Sequence, residues 1–447
     1  MPSEARPRSS PVCNRRSCYS PRLITNAFRN VNPPSPSRDP TSASVSAERG
    51  KGARFAKNAL VILALAGITY LFAIGFDQRA KGTDFPDFYS AARMVLEGRG
   101  HQLYDFQAQD QFLTRYVGRT GTYYIHPPFE TLLYLPFSLW SLRTAYLLWC
   151  VFNAAVLSCT AIVFQRQILN RWDWRVLLLL FFLFPPVLLN FLQGQDSLLL
   201  LLLMTLAVVA LQRGRNFTAG CLLGCGLFKF HLILAFVVLA ASLRKKGLFR
   251  GFALVFVILA LISVGISGWA FPTAYPRFLM RLSSLPLAGI HPAQMANIRG
   301  LIAVPGVVRD ASVRLIVTLI ASVSLFLYAA RGFGSSGPKF AGAQNLAIGN
   351  FVFAAILGSY HLSPHDLCIA LLPMGLLLQS LLVDSGKRRS TGLVLLSCLC
   401  ILFLPPLHVI LLAWHVYAYA GIPILIIFLL RSAEGASITP PAVHGFY

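Results

Sequence analysis

Acidic residues are scarce in this chain. Sixteen Asp and Glu stand against 39 Lys and Arg, and charged residues of both signs make up 12% of the 447 positions. Soluble domains carry about a quarter of their residues as charges, so the class of water-soluble enzymes is excluded by composition. The two-residue alternation of barrel strands is missing from the Leu-, Val- and Phe-rich runs, which excludes a transmembrane β-barrel. No apolar stretch opens the chain, the first beginning only near Ala59, so the N-terminal residues are not a secretory signal. Nine cysteines are scattered and read as small hydrophobes; Cys221 and Cys225 share a helical face, yet no histidine sits at a zinc-ligand spacing beside them. No internal repeat is visible.

Apolar residues fill the space left by the missing charges, at 56% of the chain. They come in runs near the length of about 20 helical residues that a hydrocarbon core demands. Backbone groups in lipid must be satisfied within their own segment, so these runs predict helices, or broken helices lining a protein cavity. The expected fold class is an all-α polytopic membrane protein. The formal net charge of +23 lies in the N-terminal tail and between the apolar runs, as the positive-inside rule places it, and leaves no folded basic domain for nucleic acid.

Residues 1–58 are rich in Pro, Ser and Arg, and predict a disordered basic cytoplasmic tail. Residues 59–431 form the transmembrane domain, and 432–447 a short cytoplasmic tail. A first span over 59–76 follows Lys51, Arg54 and Lys57, and so runs from the cytoplasm outward. The polar stretch 77–143 is then the first outer loop. Further spans are expected at about 144–164, 176–190, 197–212, 251–270, 311–330, 344–360, 366–383, 391–405 and 408–430. Between them, Arg166, Arg171, Arg175, Arg213, Arg215, Arg244, Lys245, Lys246, Arg250, Arg331, Lys339, Lys387, Arg388, Arg389 and Arg431 all fall inside.

Residues 216–243 are apolar except for Lys229 and His231 and have basic groups at both ends. One crossing would split those groups between two sides, so the charges predict a short hairpin with Lys229 near its turn. About twelve helical segments result, with both termini inside a multi-pass plasma-membrane protein. On this topology most acids lie outside, as do His101, His126, His291, His361 and His365, and the chemistry belongs to the outer face.

Loop 1 opens with Thr83-Asp84-Phe85-Pro86-Asp87-Phe88-Tyr89. A carboxylate at the membrane surface suits a general base, while Asp before a Pro-led helix equally suits a cap. The loop ends with Tyr124-Ile125-His126-Pro127-Pro128-Phe129, where His126 is either a turn residue or close to substrate, and the following apolar stretch to Trp140 is too short to span. Gln193-Gly194-Gln195-Asp196 makes a tight outer turn whose amides suit sugar hydroxyls. Lys229 within an apolar hairpin either holds a lipid phosphate, snorkels, or pairs with an outer carboxylate. A second outer loop carries Arg277, Arg281, His291, Asn297 and Arg299 with no acid among them, a surface for an anionic phosphate or for lipid headgroups. Tyr360-His361-Leu362-Ser363-Pro364-His365-Asp366 closes the set; substrate contact or capping fits these residues better than a metal.

In this order the motifs resemble those of glycosyltransferase family 87, membrane transferases of the C-type fold that use polyprenyl-phosphate sugars. The resemblance rests on Asp84, Phe85, Tyr89 and Gly98, on Leu103-Tyr104-Asp105, on Tyr124 to Phe129, on Gly194-Gln195, on Gly220, Gly224 and Lys229, and on Ser363 to Asp366. It covers about residues 59–430. It implies an inverting hexosyltransferase, mannose-like in its sugar, with a loop-1 base that maps to Asp84, or to Asp87 as second choice. The donor phosphate would be held by Lys229, Arg299 and Arg277. Sugar or acceptor contacts would come from Tyr89, His126, Gln193, Gln195, Asn297, His361, His365 and Asp366. Expected partners are the polyprenyl-phosphate sugar, a glycan or lipid acceptor and the bilayer, with no metal or other cofactor. A transporter or flippase of lipid-linked sugars would use the same ionisable residues along a path, but would be expected to show paired repeats.

Overall fold

The computed structural model describes residues 58, 83–242, 245–284, 292, 295–303, 310–331, 341–383, 393, 396–397 and 399–414. The expected span at 59–76, the start of loop 1, His291, most of 408–430 and both tails lie outside them.

Among the described residues the secondary structure is entirely helical. The α-helices are α1 (Phe85–Leu96), α2 (Phe106–Val117), α3 (Thr131–Ser138), α4 (Leu142–Gln167), α5 (Trp174–Phe182), α6 (Pro185–Gln193), α7 (Ser197–Gln212) and α8 (Asn216–Cys225). They continue as α9 (Phe230–Ser242), α10 (Lys246–Ser267), α11 (Phe271–Ser284), α12 (Ile298–Ala303), α13 (Ala311–Arg331), α14 (Ala341–Gly358), α15 (Leu371–Val383) and α16 (Pro405–Ala413). Short 3₁₀ turns join several of them, at Gly100–Gln102, Pro128–Glu130, Gly226–Lys229 and Pro364–Ala370.

Five helical stretches are long and apolar enough to cross a membrane: Leu142–Gln167, Asn216–Val238, Lys246–Ser267, Ser312–Ala330 and Pro364–Leu382. The pair α5 and α6, bent by 70°, makes a sixth if counted as one broken span. The bend falls at Phe184-Pro185-Pro186, where proline lacks the amide hydrogen that a continuous helix needs. At 16 residues α7 is about 24 Å long, short of the hydrocarbon thickness. The twelve segments expected from the sequence are therefore not reached among the described residues.

One of the five stretches doubles back. Asn216 and Gly247 lie side by side, since a Cβ on Gly247 would come within 3.2 Å of the Asn216 Cβ. Further along, a Cβ on Gly220 would run into the Leu248 carbonyl oxygen, and one on Gly224 would meet the Val255 side chain at 2.7 Å. α8 and α10 thus run parallel from a common level. A straight helix over Asn216–Val238 would carry the chain about 34 Å away, too far for the few residues that follow to return. Residues 216–242 instead form the hairpin that the flanking charges predict, with the 3₁₀ turn Gly226–Lys229 at its tip. Close glycine packing, rather than any ligand, accounts for Gly220 and Gly224.

This hairpin sorts the two ends of the bundle. At one end the ends of α4 and α7 meet, Arg213 Nη2 donating to Gln167 Oε1 at 2.7 Å, and Gln212 Nε2 donates to Asn345 Oδ1 of α14 at 2.6 Å. Arg215, Lys245 and Lys246 belong to this basic end. The other end carries what the sequence reads as loop 1, which is largely helical. α1 packs on α3 through an aromatic stack, Phe88 on Tyr134 with ring centroids 4.5 Å apart, and Tyr134 lies in turn 4.3 Å from Trp149 of α4. α11 closes over the loop, Tyr275 Oη donating to the Ile125 carbonyl at 3.0 Å. Leu139 and Trp140 remain exposed at the rim, as suits an interfacial stretch.

Candidate functional site

The site grows from the turn after α6. Gly194 has φ 64°, a left-handed conformation that glycine adopts without steric cost. A Cβ there would also lie 2.5 Å from the Phe85 Cβ, so only glycine lets α1 approach this turn. The turn is pinned from below: Asn190 Nδ2 and Asn153 Nδ2 both donate to the Gln195 carbonyl, at 3.1 and 3.3 Å, and Tyr146 Oη donates to the Phe191 carbonyl at 2.8 Å. Gln193 and Gln195 are thereby presented to the start of α1. Gln193 Oε1 accepts the Asp84 amide at 3.2 Å, and Gln195 Nε2 donates to Asp84 Oδ2 at 2.6 Å.

Asp84 occupies the N-cap position of α1, yet its side chain accepts no hydrogen bond from the helix. Pro86 removes one amide that a cap would satisfy, and the carboxyl is drawn across to Gln195 instead. The capping alternative is therefore not what the side chain does. Asp87 is committed elsewhere: Arg119 Nη2 and Thr122 Oγ1 donate to its Oδ1 at 2.6 and 2.7 Å, tying α1 to the chain after α2.

Lys229, at the hairpin tip, is 2% exposed and sits among acceptors. Its Nζ donates to Gln195 Oε1 at 2.8 Å and lies 3.2 Å from Asp366 Oδ1 and 3.4 Å from Asp196 Oδ1. Of the alternatives open from the sequence, pairing with carboxylates is the one the structure displays; burial without partners would be costly for an ammonium. Asp366 also accepts from Ser197 Oγ at 2.7 Å and from the Ser363 amide at 3.0 Å, so it caps its own turn while facing Lys229. Three histidines line this carboxylate. His365 Nε2 is 3.6 Å and His231 Nε2 3.9 Å from it, and His361 packs edge-on against His231. Among the described residues, no group of three or more His, Cys, Asp or Glu is arranged to hold a metal ion.

A second acidic pair adjoins the first. His126 Nδ1 lies 2.9 Å from Glu130 Oε2, four residues on, and the Glu130 carboxyl is buried beside that of Asp196, close enough for each to act on the other's proton. Two ionised carboxyls can only accept and repel each other, so their closeness favours one proton on the pair. Burial drives the same way, pushing Glu130 up to about 8 and Asp196 to about 7. Asp87 is raised to about 6 by burial, against the pull of Arg119. Asp84 is raised by burial, opposed by the Gln195 hydrogen bond and by Lys229. Burial lowers His126 to about 4 and His361 to about 3, which leaves both imidazoles neutral.

The structure thus brings together Asp84, His126, Gln193, Gln195, Lys229, His361, His365 and Asp366. The other expected site residues, Asp87 with its Arg119 and Thr122 partners among them, have contacts apart from this group or none among the described residues. Tyr89 is buried and donates to the Trp140 carbonyl at 2.8 Å, holding α1 to the end of α3. Asn297 bridges two backbones, donating to the Ser359 carbonyl at 2.9 Å and accepting the Gly300 amide at 2.8 Å. Arg299 lies over the Tyr360 ring at 4.0 Å and donates to the Tyr360 carbonyl at 3.0 Å. Arg277 is exposed on α11. Two residues that the sequence reading left out of the site are central to it. Glu130 could have been found by its four-residue spacing from His126, and Asp196 by its place in the Gln-Gly-Gln turn.

The sequence model of glycosyltransferase family 87 matches residues 124–359 of the chain. The match holds His126, Glu130, the Gln-Gly-Gln-Asp turn, Lys229, Asn297 and Arg299, while Asp84, Asp87 and the His361 to Asp366 segment lie outside it. No curated protein and no solved structure matches the chain.

Proposed function

The chain belongs to glycosyltransferase family 87, and on that premise we propose that this membrane glycosyltransferase moves a hexose, mannose-like, from a polyprenyl-phosphate donor to a glycan or lipid acceptor, with Asp84 as base. The observation that carries the reading is that Asp84 leaves its helix uncapped and turns its carboxyl into the polar cluster, bonded by Gln195.

In the proposed reaction Asp84 takes the proton of an acceptor hydroxyl as its oxygen bonds to the anomeric carbon. The bond from that carbon to the phosphate oxygen breaks with inversion, and polyprenyl phosphate departs with the electron pair. Negative charge grows on the leaving phosphate, so fixed cations should supply the largest stabilisation. Arg299 suits this task, because its guanidinium keeps donors beyond the one given to Tyr360, and Arg277 stands exposed on α11 to meet a headgroup. Lys229 contributes its charge from within the carboxylate cluster rather than as an unpaired cation. The amide nitrogen of Gln193 and the imidazoles of His126, His361 and His365 are the candidates for sugar and acceptor hydroxyls. No metal is invoked, since these cations and donors can carry the charge.

The site lies at the end of the bundle opposite Arg213, Arg215, Lys245 and Lys246, which supports placing it on the outer face of the plasma membrane with both termini cytoplasmic. The test is release of polyprenyl phosphate from a panel of polyprenyl-phosphate hexoses by the purified protein in lipid vesicles. Asp84→Asn should lower turnover at least about a hundredfold with an unchanged melting temperature. Normal turnover by that variant would remove Asp84 as base. Labelled sugar crossing the bilayer with no donor consumed would favour a transporter.

A further inference from the structure

Gln195 is 3% exposed, and both ends of its amide are occupied. An ammonium can only donate, so Lys229 at 2.8 Å demands the carbonyl oxygen Oε1. The NH₂ end must then face Asp84, and at 2.6 Å it must find an acceptor there, which an oxygen carrying a proton serves poorly. Swapping the amide's ends would set its NH₂ against the ammonium, donor facing donor, so Lys229 fixes the orientation, while Asn153 and Asn190 hold the backbone that carries it. A one-way chain of hydrogen bonds results, from Lys229 through Gln195 to Asp84.

We infer that Gln195 is a positioning residue: oriented by Lys229, it holds Asp84 as a carboxylate on Oδ2 and leaves Oδ1 as the oxygen that meets the acceptor hydroxyl. This rests on the reading of Asp84 as base. It separates two glutamines that look alike in sequence. Gln193 spends only its oxygen, on the Asp84 amide, and keeps its NH₂ for a substrate. Gln195 has spent both ends on the protein. The distant Lys229 thereby acts on the base without touching it.

The experiment is the pH profile of turnover for Gln195→Glu in vesicles with a polyprenyl-phosphate hexose as donor. The new carboxylate is of nearly the same shape, still accepts from Lys229, and presents an acceptor to Asp84 where a donor stood. Asp84 becomes harder to ionise, so the acid limb should move up by about one pH unit or more, with kcat at neutral pH reduced about tenfold and KM for donor and acceptor within about twofold. Should that variant fail to fold, Gln195→Asn, shorter by one methylene, keeps an amide but cannot span both partners. It should lower kcat in the same way, with KM unchanged. An acid limb that stays in place while KM for the sugar substrate rises would overturn the inference and make Gln195 a substrate ligand. Failure of the underlying reading is distinguishable, because Asp84→Asn would then turn over normally whatever Gln195 does.

Discussion

Lys229 Nζ lies 3.2 Å from Asp366 Oδ1, joining the tip of the re-entrant hairpin to the turn that starts the Pro364–Leu382 helix. Around this contact the hairpin, the turn after α6 and the N-terminus of α1 become one polar unit within an apolar bundle. The unit is held by opposite charges that cannot reach water, so its members stand or fall together.

Lys229→Met follows from that dependence. The change removes the cation that lies within 3.4 Å of two buried carboxyls, Asp366 and Asp196. Removing one partner of a buried pair costs about 3–5 kcal/mol. A marked fall in the melting temperature of the detergent-purified protein is expected, and Lys229→Met combined with Asp366→Asn should recover part of it. A single variant melting like the wild type would mean that the ammonium does not hold the tip in place.

Glu130 and Asp196 predict a dependence of stability on pH. Both carboxyls are raised by burial, Glu130 from 4.5 to about 8 and Asp196 from 3.8 to about 7. The folded protein therefore holds a proton that the unfolded chain releases, and stability falls as pH rises from about 4 to about 8. Glu130→Gln replaces the shared proton with a permanent NH₂ donor. Its melting temperature should vary less over that range and exceed the wild type's relative standing at pH 8. Parallel curves for the two proteins would show that the pair carries no shared proton.

Much of this site was legible in the sequence because topology gathers residues by side. Charges around 216–243 sufficed for the hairpin, since basic groups at both ends of an apolar stretch leave few ways to fold it. Once the spans were ordered, Asp84, the Gln-Gly-Gln turn, Lys229 and Asp366 fell at one end. Pairings were not legible. Lys229 looked like a lone cation available for phosphate, because nothing in sequence announces that residues 196 and 366 arrive beside it. Tyr89 and Asn297 looked like substrate contacts for the converse reason: a polar side chain near a loop usually satisfies nearby backbone groups, and which ones depends on packing. Glu130 went unnoticed because one acid among many in loop 1 has no distinguishing neighbour except His126.

Asp87, the other loop-1 carboxylate, provides the internal comparison for Asp84. Three residues apart, the two stand near each other on the first turn of α1, and each raises the question of which is the base. Their partners differ in kind. Gln195 is neutral and leaves Asp84 Oδ1 without a partner among the described residues, whereas Asp87 faces the guanidinium of Arg119, a charge-assisted bond at 2.6 Å, with Thr122 at 2.7 Å on the same oxygen. A carboxylate held in that way by two donors, one of them charged, is placed to act as a strut rather than to meet an acceptor hydroxyl. Asp87→Asn should therefore loosen the chain after α2 by removing the charge that faces the buried Arg119 guanidinium, at a cost of about 3 kcal/mol. Turnover of the folded fraction should fall less than about tenfold, far short of the loss expected for Asp84→Asn. Limited proteolysis across residues 118–123, run beside the transfer assay, separates the two effects: faster cleavage with retained turnover fits a strut. Intact loop 1 with abolished turnover would exchange the roles of the two aspartates.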